Sequence, residues 1–226
     1  VPMHTYGFPA EIDQICAIAR KWNIPIIEDA AEAIGSSYKE KSLGTYGDIG
    51  VFSFNGNKII TAGGGGALIT NNPKYASKAK HLSTTAKKAH KYEFIHDQIG
   101  YNYRMPNLNA ALLCAQIEEI EHILINKRYL AEQYKKYFES IDVSFRWEGE
   151  NSTANFWLMC IEAETKEERD SFLEESNKNG VMTRPVWELM CNLPMYKDCI
   201  KDEQINAQYL AERIINLPSS YRTHAK

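Results

Sequence analysis

The sequence predicts an α/β protein: a mainly parallel sheet with helices, followed by a second, smaller α/β unit. Three observations predict it. Strand-like and helix-like patterns alternate through the first half, and the strand-like runs end in polar residues. After Ser140 the texture changes, and a new alternation of short strands and helices begins. Alternation of this kind builds a sheet whose site lies at the strand ends.

The elements follow in order. Ile12, Ile15, Ala19 and Trp22 recur every three to four residues and predict a helix over 10–22, ended by Asn23-Ile24-Pro25. Pro25-Ile26-Ile27 then reads as a short buried strand running into Glu28-Asp29. Residues 49–54 and 67–70 are the next two strands, the second preceded by four glycines, Gly63 to Gly66. Residues 73–82 read as a helix. From Pro106 one long helical stretch follows, through Leu108, Ala111, Leu112, Ala115, Glu119 and Ile123, with 125–138 continuing beyond a bend. A proline suits a helix start, where its missing N–H costs little. In the second unit the candidates are a strand over 156–161, an acidic helix over 166–179 ended by Gly180, a strand over 181–183 and a last helix over 202–216. The resulting division is 1–125 for the larger domain and 126–226 for a linking helix and the smaller one.

Composition narrows the function classes. The chain has 226 residues, 44% hydrophobic and 24% charged, which excludes a disordered tail or a fibre. Lys and Arg total 26 against 29 Asp and Glu, a net charge of -3 that argues against nucleic acid as a partner. No apolar run reaches the ~18 residues of a membrane-spanning helix. Five scattered cysteines, with no C-x-x-C pair, argue against a zinc site and a disulfide framework and for reduced thiols in the cytoplasm. The opening Val1-Pro2-Met3-His4 has no signal-peptide character and no initiator Met. It falls within what reads as a strand, so the sequence is expected to be the later part of a longer chain.

Three polar residues near strand ends carry the chemistry. Asp29 follows an apolar run, Ser53 lies in the strand 49–54, and Lys58 stands shortly after it beside the glycines. Each has an ordinary reading: a helix cap, a packed hydroxyl, a solvated lysine beside a tight turn. Together they are also the parts of a pyridoxal phosphate site. A poorly solvated lysine serves as a Schiff-base nucleophile, an acid holds a pyridinium proton, and a hydroxyl with backbone N–H groups receives the phosphate. Neither G-x-x-x-x-G-K-[ST] nor a properly placed G-x-G-x-x-G occurs, which argues against the nucleotide-binding motifs.

Several ordered motifs make the reading specific. Glu28-Asp29-Ala30-Ala31-Glu32-Ala33-Ile34-Gly35, then Gly47-Asp48-Ile49-Gly50-Val51-Phe52-Ser53-Phe54, Asn57-Lys58 and Gly100-Tyr101-Asn102-Tyr103-Arg104-Met105, resemble the DegT/DnrJ/EryC1/StrS sugar aminotransferases. Residues 183–190 and Leu193-Pro194-Met195-Tyr196 are similar to the branch acting in legionaminic acid and related nonulosonate biosynthesis. The resemblance spans nearly the whole chain. It implies the pyridoxal-phosphate-dependent transferase fold of type I, with only part of the large domain present. It also implies transfer of an amino group, with glutamate as donor, to a UDP-linked 4-keto-6-deoxy N-acetylated hexose.

Carried over by residue, Lys58 would form the Schiff base and shuttle the proton between substrate carbon and cofactor. Asp29 would pair with the pyridine nitrogen. Glu32, where relatives often have Gln or His, would lie near the ring and its 3-oxygen. Ser53 would bind the phosphate, and Asn102 the phosphate of a neighbouring subunit, making a homodimer with shared sites. Arg184 and Trp187 would face the sugar nucleotide. His4 and Arg104 lie near the motifs without an assigned role. A phosphate-binding turn and a ring-covering aromatic that such proteins carry further upstream have no counterpart before Val1. Three alternatives stay open: a sugar dehydratase of the same family, which has His at the lysine position, a cofactor-free binding or sensor module, and a plain nucleotide-binding α/β domain.

Overall fold

A computed structural model describes residues 1–222. In chain order its elements are α1 (Ile12–Lys21), β1 (Ile27–Asp29), β2 (Ser37–Tyr38), β3 (Lys41–Ser42), β4 (Ile49–Ser53), β5 (Gly66–Ile69), α2 (Pro73–Ser83), α3 (Asn107–Glu118) and α4 (Ile120–Ser140). There follow β6 (Ser144–Phe145), β7 (Ser152–Thr153), β8 (Met159–Glu162), α5 (Lys166–Lys178), β9 (Arg184–Pro185), α6 (Ile205–Arg213) and β10 (Ile214–Leu217). The chain forms two units, one of residues 1–125 with 148–157, the other of 126–147 with 158–226. The contiguous division drawn from sequence therefore needs one correction. Residues 148–157 return to the first unit, where β7 pairs with β2 and Asn155 is buried.

The first unit is built on a sheet of order β1-β4-β5. β1 and β4 run parallel, with Asp29 opposite Val51, and Met3 adds a parallel bridge to Asp29. β5 pairs antiparallel with β4, so the expected parallel sheet carries an antiparallel edge strand. Helix α1 covers it with Ile12, Cys16 and Ala19, spaced one helical turn apart, against Ile26, Ala30, Ala33 and Leu43. Cys16 takes the core position, while Trp22, assigned to the buried stripe from sequence, is exposed. Helix α2 starts where Asn72 accepts hydrogen bonds from Lys74 N (2.9 Å) and Tyr75 N (3.4 Å), with Pro73 at its first position. The long helix breaks at Glu119 rather than near 125.

The second unit has an antiparallel sheet of order β6-β8-β10-β9. Thr165 caps α5 by accepting from Glu168 N at 3.1 Å, and the Glu168 carboxylate accepts Glu164 N at 3.1 Å. The helix expected over 202–216 is shorter, since 214–217 is β10, a strand buried at every position. Its Ile-Ile-Asn-Leu run has no alternation to separate strand from helix. The strand expected over 181–183 forms at 184–185 instead.

Candidate active site

Because β1 and β4 are parallel, their carboxyl ends lie at one edge of the sheet, and Asp29 and Ser53 are the residues at those ends. Beyond β4 the chain turns back on itself. Phe54 N donates to Gly65 O (2.9 Å), Ala62 N to Phe54 O (3.0 Å) and Gly63 N to Thr61 Oγ1 (2.8 Å). Gly65 takes φ +91°, a conformation that excludes side chains, so the glycine run is what closes this loop. Between the pinned ends, Ile59 and Ile60 are buried, and Lys58 N donates to Asn55 O at 3.1 Å.

Lys58 does not point freely to solvent. Its side chain is 12% exposed, with Nζ 3.5 Å from Glu32 Oε1 and 4.0 Å from the centroid of the Trp157 ring. Glu32 is 7% exposed, and its other oxygen accepts Tyr6 N at 2.7 Å. Burial raises the Glu32 pKa, with the Tyr6 N–H and the Lys58 charge opposing that shift and Asp29 adding to it. Glu32 thus lies within the electrostatic reach of both Asp29 and Lys58, although those two make no direct bond or ion pair. Asp29 is half-buried and accepts Ala31 N at 3.1 Å, so its turn-forming role and its place in the acidic group coexist. The Ser53 hydroxyl oxygen accepts Asn55 N at 3.3 Å.

Trp157 is a site residue that the sequence reading passed over as part of a strand. Its indole Nε1 donates to Asn57 O at 2.6 Å, and its backbone N to Asn155 Oδ1 at 2.8 Å. Asn155 in turn donates to the carbonyls of Glu32 and Ile34, both at 2.8 Å. One buried amide therefore holds the tryptophan, the Glu32 turn and the lysine loop in register. His4, left without a role from sequence, is fully buried and pairs with Glu28 at 3.1 Å. Its Nδ1 accepts Ala10 N at 3.2 Å, which assigns the ring proton to Nε2. Glu28 also accepts the N–H groups of Gly44 (2.8 Å), Tyr46 and Gly47 (both 2.5 Å).

The remaining expected residues make their contacts elsewhere. Asn102 is exposed, bridges Thr84 and accepts from Arg104 Nη1 at 3.0 Å. Arg184 and Trp187 belong to the second unit. Arg184 donates to Asn177 Oδ1 and Thr183 O, each at 2.8 Å, and Trp187 is largely exposed. A cleft of about 990 Å³ runs along β5 and α2, lined by Phe52, Leu68, Ala76 and Met105, without Lys58. Among the described residues there is no cluster able to hold a metal ion, and no helix is long and apolar enough to cross a membrane.

A part-buried lysine thus stands beside a carboxylate and an aromatic face, in the loop that follows the strand ending at Ser53. Comparison with known families matches residues 1–226 to the DegT/DnrJ/EryC1/StrS aminotransferase family. The chain belongs to this family. The sequence is 39% identical over 217 residues to a GDP-perosamine synthase of Escherichia coli O157:H7, covering 96% of this chain and 59% of that protein. It is 32% identical over 224 residues to a putative pyridoxal phosphate-dependent aminotransferase, EpsN, of Bacillus subtilis, covering 97% and 58%. Helicobacter pylori PseC, an aminotransferase involved in pseudoaminic acid biosynthesis, superposes with TM-score 0.90 at 21% identity, over 96% of this chain and 60% of that one. The TlmJ aminotransferase of Streptoalloteichus hindustanus gives TM-score 0.89 at 24% identity, over 96% and 58%. These likenesses establish the type I transferase fold. The chain spans about 60% of the length of these relatives.

Proposed function

We propose that this chain carries the lysine-bearing part of a pyridoxal-phosphate-dependent sugar-nucleotide aminotransferase. The observation that carries the proposal is the Lys58 amine, nearly enclosed between Glu32 and Trp157 at the strand ends bearing Asp29 and Ser53. These residues fit the cofactor: an amine for its aldehyde, an acid for its ring nitrogen, a hydroxyl at a strand end for its phosphate. When bound, pyridoxal phosphate supplies an aldehyde and an electron-accepting ring. Lys58 would hold the cofactor by its aldehyde and move the proton at the substrate carbon, Asp29 would keep the ring nitrogen protonated, and Ser53 would orient the phosphate. In this reading Asn102 serves the site of a second copy of the chain, consistent with its exposure. Arg184 and Trp187 meet the sugar nucleotide, and glutamate donates the amino group.

The sequence motifs alone favour a UDP-linked N-acetylated 4-keto-6-deoxyhexose. Two relatives named GDP-perosamine synthase, 39% and 33% identical, favour a GDP-linked sugar instead. We adopt the GDP-linked 4-keto-6-deoxyhexose as the first substrate to test. Lys58 argues against the dehydratase alternative, which has His at that position.

Adding pyridoxal phosphate and then borohydride should place a reduced adduct on the Lys58 peptide of this chain, and Lys58→Ala should abolish it. In the protein carrying this chain, glutamate and GDP- or UDP-linked keto sugar should give a product whose mass reports exchange of oxygen for amine. Labelling elsewhere with Lys58 untouched, or a dehydrated product, would overturn the assignment.

A further inference from the structure

Glu32 and Trp157 face Lys58 from two distant stretches of chain. Neither bonds the other's polar atoms: Glu32 is fixed by Tyr6 N and Trp157 by Asn57 O and Asn155. What they share is the Lys58 ammonium, 3.5 Å from the carboxylate oxygen and 4.0 Å from the ring centroid. Both groups favour a cation over a neutral amine, the carboxylate by charge and the indole by its electron-rich face. We infer that Glu32 and Trp157 form a seat for the lysine ammonium, which receives Lys58 whenever its nitrogen is not joined to the cofactor. The inference rests on the reading of Lys58 as the amine that meets the cofactor.

The seat gives the lysine a defined resting place while it carries a proton. In the proposed reaction Lys58 would take a proton from the substrate carbon as an amine and hold it as an ammonium. The C–H bond would break and an N–H form, with the electron pair left on carbon taken up by the electron-accepting ring that the cofactor supplies. Glu32 and Trp157 are positioning residues in this scheme, since they act through Lys58. The charged groups that bear on the seat are Lys58 itself, Glu32 and Asp29, whose negative charge opposes ionisation of Glu32.

Labelling with acetic anhydride at pH 8, read on the Lys58 peptide of the cofactor-free chain, measures how readily the Lys58 amine reacts. Glu32→Gln removes the charge that favours the ammonium, so Lys58 labelling should rise severalfold. Trp157→Leu should raise it by less, and Glu32→Asp should keep it near the native rate. Labelling of an exposed amine such as Lys74 should stay the same in every variant. Unchanged or reduced Lys58 labelling in Glu32→Gln would overturn the seat. If circular dichroism shows that this variant has lost its fold, Trp157→Leu decides by the same criterion. Failure here is distinct from failure of the cofactor reading. A Lys58 adduct with pyridoxal phosphate together with unchanged labelling in Glu32→Gln sinks the seat alone. Raised labelling in Glu32→Gln with no adduct at Lys58 sinks the cofactor reading alone.

Discussion

Replacing Glu28 by Gln tests how the sheet edge that bears Asp29 is held. The two carboxylate oxygens of Glu28 each take two donors: Oε2 accepts His4 Nε2 and Gly44 N, and Oε1 accepts Tyr46 N and Gly47 N. Glutamine keeps the shape but offers one oxygen and one NH₂. Whichever way the amide turns, two buried donors then face another donor. Each such orphaned donor costs about 1–3 kcal/mol, so the expected loss is about 2–6 kcal/mol, a large part of a typical total of about 5–15 kcal/mol.

Urea unfolding followed by circular dichroism should show this loss, and hydrogen exchange should show the Gly44, Tyr46 and Gly47 amides opening faster. The pH dependence has a definite sign. Burial alone would raise the Glu28 pKa, but the hydrogen bonds from His4, Gly47 and Gly44 outweigh it and leave the group below the ordinary carboxylate value. Its stabilisation is therefore complete above the unfolded-state value of about 4.3 and is lost as pH falls through the lower folded value. The gap between native and Glu28→Gln should be widest near neutrality and shrink in acid. A loss under about 1 kcal/mol at pH 7, or a gap that widens in acid, would refute the reasoning.

Three further outcomes are expected. Gly50→Ala would put a methyl group 1.9 Å from Gly44 O, backbone against backbone with no rotamer to relieve it, so it should cost at least about 3 kcal/mol in urea unfolding or prevent folding. Lys127 is buried in the second unit, donates to Ser219 O, and burial lowers its pKa to about 7. The unfolded chain then binds more protons between pH 7 and 10, so stability should rise with pH over that window. Lys127→Met removes the titrating amine, so it should flatten the rise. Burial also pushes the Cys160 thiol up to about 12 and raises Cys16. Iodoacetamide at pH 8 should therefore label exposed Cys114 and Cys199 in the native chain and reach Cys16 and Cys160 only after denaturation, as peptide mapping would show.

Much of the fold was legible wherever one period dominated a segment. Helix α1 shows its turn-to-turn spacing, α5 its terminal Gly180, and β4 its apolar run. The misses have physical causes. β10 is buried on both faces, so its apolar run looks the same as a helix end. β2, β3 and β7 are two residues each, too short for any period, and β7 joins β2 across more than a hundred residues. Glu119 breaks the long helix without a proline or glycine to announce it.

The site divides along the same line. Asp29, Glu32, Ser53 and Lys58 fall within thirty positions of one another, at the ends of two parallel-paired strands or in the turns that follow them. Their polar character stands out against apolar runs, so the sequence displays them. Trp157 arrives from 100 positions beyond Asn57, inside an apolar segment where a tryptophan reads as core. The buried amide of Asn155, joined to both the Glu32 turn and the Trp157 backbone, and the indole's own bond to Asn57 O bring that ring to the lysine. An asparagine between alanine and phenylalanine signals nothing by itself. The residues proposed for the chemistry are thus local and visible, whereas the ring that faces the Lys58 amine is brought there by long-range hydrogen bonds.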